Sequence, residues 1–232
     1  MSKTVFITGA NKGLGFETAR RLTALGHTVL LGARDAERGQ DAAARLGARF
    51  VRIDVTDDAS VAAAAADVAA HEGRVDVLVN NAGIVGETAP ADELTGEHAT
   101  LVFSTNVVAA VRTTNAFLPL LRAGEAPVVV NVTSGLGSLT LTHDPERVES
   151  QVVAPLYTSS KAAVTMLTTQ YAKAIADVRF NAVDPGYTAT DLNGGSGPQT
   201  VTEGTDAIVT LVTEDPAAGT GRVIDRYGPL AW

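Results

Sequence analysis

Tyr157 and Lys161 stand four residues apart in Leu156-Tyr157-Thr158-Ser159-Ser160-Lys161, inside a segment whose apolar period predicts a helix over residues 156–176. At that spacing both side chains lie on one helix face, with Cβ atoms about 5–6 Å apart. A phenol titrates near pH ~10 and is a poor acid-base group at neutral pH unless a cation favours its ionised form. Lys161 supplies such a cation, so the pair suits proton transfer to or from an oxygen atom. A Tyr-Lys pair alone is more often a solvated helix face, but this chain holds only four tyrosines, and the pair follows a serine at the end of an apolar run. That serine is Ser134, in Val132-Thr133-Ser134-Gly135, whose hydroxyl can hydrogen-bond a carbonyl oxygen. Thr133 and Ser138 offer the same group, and a serine capping its own turn is the structural alternative. No Gly-x-Ser-x-Gly is present, so a nucleophilic hydrolase serine has no support.

Thr8-Gly9-Ala10-Asn11-Lys12-Gly13-Leu14-Gly15 lies between the first apolar run and the first helical segment. Glycines there permit a tight turn, close backbone approach to a pyrophosphate and close helix-sheet packing, while free N–H groups at the helix start favour an anion. Because the motif opens the first strand-to-helix unit, it reads as a dinucleotide site. Asn106 sits among Val102, Phe103, Val107 and Val108, where a buried amide requires partners. Cysteine is absent and the four histidines are scattered, so neither a metal site nor thiol chemistry is expected. The net charge of −8 argues against binding nucleic acid or an anionic membrane by bulk charge. Residues 1–74 hold ten of the 18 Lys and Arg against nine of the 26 acids, so an anionic ligand fits best in this third. The start MSKTVFITGA lacks a signal layout and no stretch approaches ~20 apolar residues, so the chain reads as soluble and cytoplasmic.

The elements that must position these residues alternate. Strands are predicted at residues 4–8, 28–31, 50–53, 75–79, 128–132, 178–183 and 221–225. Helices are predicted at 14–25, 35–46, from 57, near 92, over 98–122, 156–176 and 202–212. Strands spaced by helices give right-handed crossovers and a single α/β domain over residues 1–232. Its architecture is a doubly wound parallel sheet of about seven strands with helices on both faces. Asn131-Val132-Thr133 matches a glycosylation sequon but falls in a predicted buried strand and is discounted. Residues 193–198 (NGGSGP) read as a mobile flap.

The ordered set of motifs resembles the classical short-chain dehydrogenase/reductase family with its Rossmann fold. It comprises Thr8-Gly9-x-x-x-Gly13-x-Gly15, Asn80-Asn81-Ala82-Gly83, Asn106, Ser134, Tyr157-x-x-x-Lys161 and Pro185-Gly186, and spans about residues 4–190. Ala10 to Phe16, Ala33-Arg34-Asp35 and the C-terminal Trp232 are similar to the carbonyl reductase-like members. The resemblance implies hydride transfer from a nicotinamide to a carbonyl carbon. Tyr157 would donate the proton and Ser134 hold the oxygen, while Lys161 binds ribose and lowers the tyrosine pKa. Asn106 would hold a water in the relay. It also selects Ser134 over Thr133 and Ser138.

The cofactor-binding residues expected in the glycine turn are Gly9, Asn11, Lys12, Gly13, Leu14 and Gly15, and the resemblance assigns adenine to Asp54, with Val55 beside it. Asn81, Ala82 and Gly83 would run beside the nicotinamide ribose, with Tyr157 and Lys161, and Pro185, Gly186, Thr188 and Thr190 would contact the carboxamide side. Arg34 and Lys12 converge on the adenosine ribose, which favours NADP(H) over NAD(H). Asp35 can either take the NAD role or cap the following helix. Ser134 and Tyr157 are about ten residues further apart than the family norm, and the extra residues include His143-Asp144-Pro145-Glu146-Arg147. That insert puts the family's common tetramer in doubt and leaves a monomer or small homo-oligomer. Val85, Val153, Leu156, Tyr187 and Leu192 are candidates for an apolar substrate wall, with core packing as the alternative. The expected substrate is an apolar or aromatic ketone, aldehyde or quinone. A 3-oxoacyl-thioester reductase and a non-catalytic NADP sensor or scaffold are the rival readings.

Overall fold

Short β-branched runs without charges form the middle of the molecule because both their faces are covered. The computed structural model describes residues 2–232. Its strands are β1 (Thr4–Thr8), β2 (Thr28–Ala33), β3 (Arg49–Arg52), β4 (Val77–Asn80), β5 (Val128–Val132), β6 (Arg179–Val183), β7 (Val223–Asp225) and β8 (Gly228–Pro229). They join in one sheet of order β3-β2-β1-β4-β5-β6-β7-β8. Every pairing is parallel except that of β7 with β8. The eighth strand exceeds the predicted seven. Asp225 accepts the N–H groups of Tyr227 and Gly228 at 2.7 and 3.0 Å, and this local turn folds the chain back as a two-residue edge.

The helices are α1 (Gly13–Ala24), α2 (Ala36–Leu46), α3 (Asp58–His71), α4 (Gly96–Phe103), α5 (Ala109–Arg122), α6 (Leu139–His143), α7 (Pro155–Ala174), α8 (Val201–Gly204) and α9 (Asp206–Thr213). One face of the sheet is covered by Ala19 and Leu22 of α1, Ala42 and Ala43 of α2, and Ile208 and Leu211 of α9. The other is covered by Val61, Ala64 and Val68 of α3, Phe117 and Leu121 of α5, and Tyr171 and Ala172 of α7. Phe6 of β1 and Phe117 are both fully buried, with ring centroids 4.4 Å apart. Each buried ring contributes about 1.5–3 kcal/mol from area alone.

Beyond shifts of one or two residues at element ends, two helical stretches differ from the sequence reading for local reasons. Residues 98–122 are not one regular helix, because Ser104–Val108 form a turn of π-helix between α4 and α5. The predicted helix 202–212 is two helices, since Thr205 turns at their junction; its hydroxyl donates to Thr202 O and accepts from Arg21, both at 2.9 Å. Residues 193–198, read as a flap, are tied back by side-chain hydrogen bonds. Asn193 Nδ2 donates to Thr188 O at 2.8 Å, its Oδ1 accepts the Thr190 N–H at 3.1 Å, and the Tyr187 and Ser196 hydroxyls meet at 2.7 Å.

In this strand order the chain reverses direction of travel across the sheet between β1 and β4. The crevice at the carboxyl ends of those two strands is where an α/β sheet accepts a ligand.

Candidate active site

The glycine-rich turn closes the carboxyl end of β1. Gly9 and Gly13 adopt φ values of +63° and +56°, in the left-handed region that disfavours side chains. A Cβ on Gly15 would lie 2.6 Å from both Gly9 O and Asn81 Nδ2, so α1 can start this close to the sheet only with glycine there. Lys12 precedes α1 without capping it, and the first turn, which includes Leu14, holds no acid. The leading N–H groups therefore remain available to an anion. Asn11 is half-buried at the same turn. Asn81 Nδ2 donates to Thr8 O at 2.9 Å and Gly9 O at 3.2 Å, and Thr8 Oγ1 accepts the N–H groups of Asn81 and Ala82 at 3.0 Å. The Asn81 side chain thus binds the glycine turn to β4.

At the open edge, β2 and β3 border a groove of about 660 Å³ lined by Arg34, Arg52, Asp54 and Ser60, among others. Arg34 is exposed and makes no ion pair among the described residues. Asp35 caps α2 by accepting the Arg38 N–H at 3.0 Å. Burial raises the Asp54 carboxyl, but hydrogen bonds from Thr56 and the charges of Arg34 and Arg112 outweigh it and hold the group below its ordinary range. Val55 is buried beside it, its carbonyl accepting from Arg112 at 3.0 Å. Lys12 does not stand free beside Arg34: its ammonium pairs with Asp191 at 3.1 Å, across the crevice. Thr190 comes within 3.9 Å of the position of a Cβ on Gly13, so the 186–199 segment reaches the glycine turn. Thr188 is buried and donates to Pro185 O at 2.9 Å, and Gly186 takes a φ of +68°.

Helix α7 presents Tyr157 and Lys161 toward this crevice, and the end of β5 delivers Ser134. Ser134 accepts the Leu136 N–H at 3.2 Å, and its hydroxyl faces the Tyr157 phenol. Burial pushes the phenol up to about 12, and the negative Asp184 adds to the rise against the Ser134 hydroxyl. Burial and Asp184 thus leave the phenol above its ordinary value rather than below it, where a neighbouring cation alone would set it. The ammonium lies 5.6 Å from the Tyr157 ring centroid and donates to Val132 O at 2.9 Å. Lys161 itself is lowered to about 8 by burial, opposed by Asp184.

Asn106 lies in the π turn, buried. Its Oδ1 accepts the Ile84 N–H at 2.8 Å, and its Nδ2 donates to Ile84 O and Ser160 Oγ, both at 2.9 Å. A Cβ on Gly83 would lie 3.3 Å from Asn106 Oδ1 and 3.5 Å from Lys161 Nζ, so these three residues share one small space. The sequence reading missed the ladder behind them. Asn80 donates to Asn131 Oδ1 at 2.8 Å, and Asn131 donates to Thr168 Oγ1 at 2.8 Å, joining β4, β5 and α7 through the core. An asparagine inside the predicted strand 128–132 and another just past the predicted strand 75–79 are the signal that marks it. Of the proposed apolar wall, Val153, Tyr187 and Leu192 are 83, 49 and 46 % exposed, so core packing does not explain them; Val85 and Leu156 are half-buried.

A doubly wound sheet with an open glycine turn and a convergent Ser, Tyr and Lys at its switch point defines a dinucleotide-type oxidoreductase. The family model described as short chain dehydrogenase matches residues 3–200. The chain belongs to that family. A short-chain dehydrogenase of Penicillium roqueforti is 37% identical over 240 residues, covering 97% of this chain and 95% of that protein. The NADPH-bound carbonyl reductase from chicken fatty liver superposes with a TM-score of 0.88 at 28% identity, over 100% of this chain and 99% of that one. Salutaridine reductase from Papaver somniferum gives 0.84 at 26% identity, over 95% of this chain and 99% of that one. Among the described residues no helix is long and apolar enough to cross a membrane.

Proposed function

We propose that the chain reduces the carbonyl of an apolar or aromatic ketone, aldehyde or quinone with NADPH, giving the alcohol. The observation that carries this reading is the convergence of the Ser134 hydroxyl, the buried Tyr157 phenol and the Lys161 ammonium at the sheet's switch point. Tyr157, held protonated at neutral pH by burial, donates its phenolic proton to the carbonyl oxygen as negative charge develops there. Ser134 holds that oxygen. Lys161, with a pKa of about 8, is mostly charged at neutral pH; it binds ribose hydroxyls and favours the phenolate left behind. Asn106 Oδ1 keeps a lone pair uncommitted beside Lys161 and continues the proton relay through water.

The bound cofactor supplies the hydride. The residues present fit it: the uncapped start of α1 and the glycines suit a pyrophosphate, and Gly83 leaves room for the nicotinamide ribose. Arg34 is the free cation for a 2′-phosphate, with Lys12 joining it once released from Asp191. The NADPH-bound neighbour supports the same choice. The exposed Val153, Tyr187 and Leu192 support an apolar substrate.

The test is NADPH and NADH oxidation against a panel of aromatic ketones, quinones and 3-oxoacyl thioesters. Turnover of ketones or quinones with NADPH supports the reading. Preference for the thioesters moves the chain to the 3-oxoacyl reductases, and tight NADPH binding without any turnover supports a sensor.

A further inference from the structure

Asp184 closes β6 immediately before Pro185-Gly186 and is buried beside Tyr157, yet no step above uses it. Its Oδ1 accepts the Gly186 N–H at 3.0 Å, and its Oδ2 lies against Gly135, the residue after Ser134, 2.9 Å from where a Cβ there would stand. One side chain therefore touches two turns, the one that carries Ser134 and the one that opens the 186–199 segment. A second buried acid flanks the same place. A Cβ on Gly135 would lie 2.9 Å from Asp184 Oδ2 and 3.0 Å from Glu149 Oε1, with Leu141 Cδ1 at 3.4 Å.

Glu149 comes from the insert between Ser134 and Tyr157. Arg147 grips it from the outer side with Nε to Oε2 at 3.1 Å and Nη2 to Oε1 at 2.9 Å. The insert is anchored at its start too, where Ser138 Oγ accepts the Leu141 N–H at 3.0 Å and donates to Ala231 O at 2.8 Å. The charged groups facing Asp184 are then Glu149 from the insert, Asp225 of β7, and Tyr157 and Lys161 of α7, with Arg147 neutralising Glu149. Two acids are costly to bury unless they hold something in place. Here Glu149 is paired by Arg147, and Asp184 and Glu149 both crowd the backbone next to Ser134.

We propose that Asp184, backed by the insert residue Glu149, is a positioning residue that clamps the Ser134-Gly135 turn to the Pro185-Gly186 turn, so that the insert braces the catalytic serine. This rests on the role proposed for Ser134. A misplaced hydroxyl weakens the hold on the carbonyl oxygen during proton transfer and leaves the adenosine end, on the far side of β1, untouched.

Asp184→Ala, Asp184→Asn and Glu149→Gln are compared with wild type for kcat, for KM of the carbonyl substrate and, by fluorescence, for NADPH affinity. The expected result is a kcat reduced about tenfold or more in Asp184→Ala with NADPH affinity within about twofold. Asp184→Asn, whose amide oxygen still accepts one N–H, recovers part of the loss, and Glu149→Gln falls between. Unchanged kcat in Asp184→Ala, or parallel losses of kcat and NADPH affinity, overturns the proposal. Should Asp184→Ala not fold, the other two variants decide it: kcat equal to wild type in both overturns the clamp. Failure of the site reading itself is distinguished by Ser134→Ala, which then keeps full activity.

Discussion

Burial sets the chemistry of Tyr157 and Lys161 in opposite directions, holding the phenol neutral up to about 12 and bringing the ammonium down to about 8. A proton donor for carbonyl reduction has to be neutral, so the raised phenol serves the forward reaction, and a lysine near 8 still carries its charge at neutral pH. Their types and four-residue spacing were readable in the sequence, because helix geometry alone puts Tyr157 and Lys161 on one face, whereas Ser134 was told from Thr133 and Ser138 only by the resemblance. Lys12 was not readable: its pairing with Asp191, 179 positions away, is a tertiary contact that no local pattern encodes. On the proposed function, Arg34 selects the cofactor. Arg34→Ala is expected to weaken NADPH binding about tenfold or more while leaving NADH within about twofold, because a charge-assisted bond to a phosphate is lost and nothing else changes. Binding titrations with both cofactors check it, and equal losses for the two would move the 2′-phosphate elsewhere.

Elements were legible where period and caps agreed. Asp57 caps α3 by accepting the Ala59 and Ser60 N–H groups at 3.2 Å, and Asp35 caps α2, as acidic residues at helix starts predict. The π turn at Ser104–Val108 was hidden, because the apolar spacing on both sides of it is ordinary and one extra residue per turn leaves no compositional mark. It presents Asn106 to Ile84 and Ser160 at once, tying α7 to the chain beyond β4. Two substitutions test the elements. Phe117→Ala empties a fully buried site against Phe6 and is expected to lower unfolding free energy by about 3–5 kcal/mol in denaturant titrations. Gly15→Ala drives a methyl onto Gly9 O and Asn81 Nδ2, so NADPH affinity is expected to fall at least about tenfold, measured by fluorescence on folded protein.

For the whole molecule, the alternation of strands and helices dictated the doubly wound sheet, while its antiparallel β8 edge depends on the Asp225 turn and was not foreseen. Nor was the fold of the insert, since charged residues such as Arg147 and Glu149 read as exposed until the packing shows Glu149 turned inward. Global stability carries the signature of the buried lysine. Its folded pKa of about 8 lies below its ordinary 10.5, so between those values the unfolded chain binds more protons and stability rises with pH. The Tyr157 phenol opposes this only above its ordinary 10.0. Wild type is therefore expected to gain on Lys161→Met by at most about 1.4 kcal/mol per pH unit between pH ~8 and ~10. Denaturant titrations of both proteins across that range check it, and parallel curves would mean that Lys161 is solvated.

The most direct test of the proposed chemistry compares NADPH oxidation with an aromatic ketone by wild type and Tyr157→Phe, both folded by circular dichroism. Removal of the phenolic proton donor is expected to lower kcat by about a hundredfold or more with NADPH affinity within about twofold. A Tyr157→Phe protein that turns over as fast as wild type would contradict the assignment of the proton donor and, with it, the reductase mechanism built on this site.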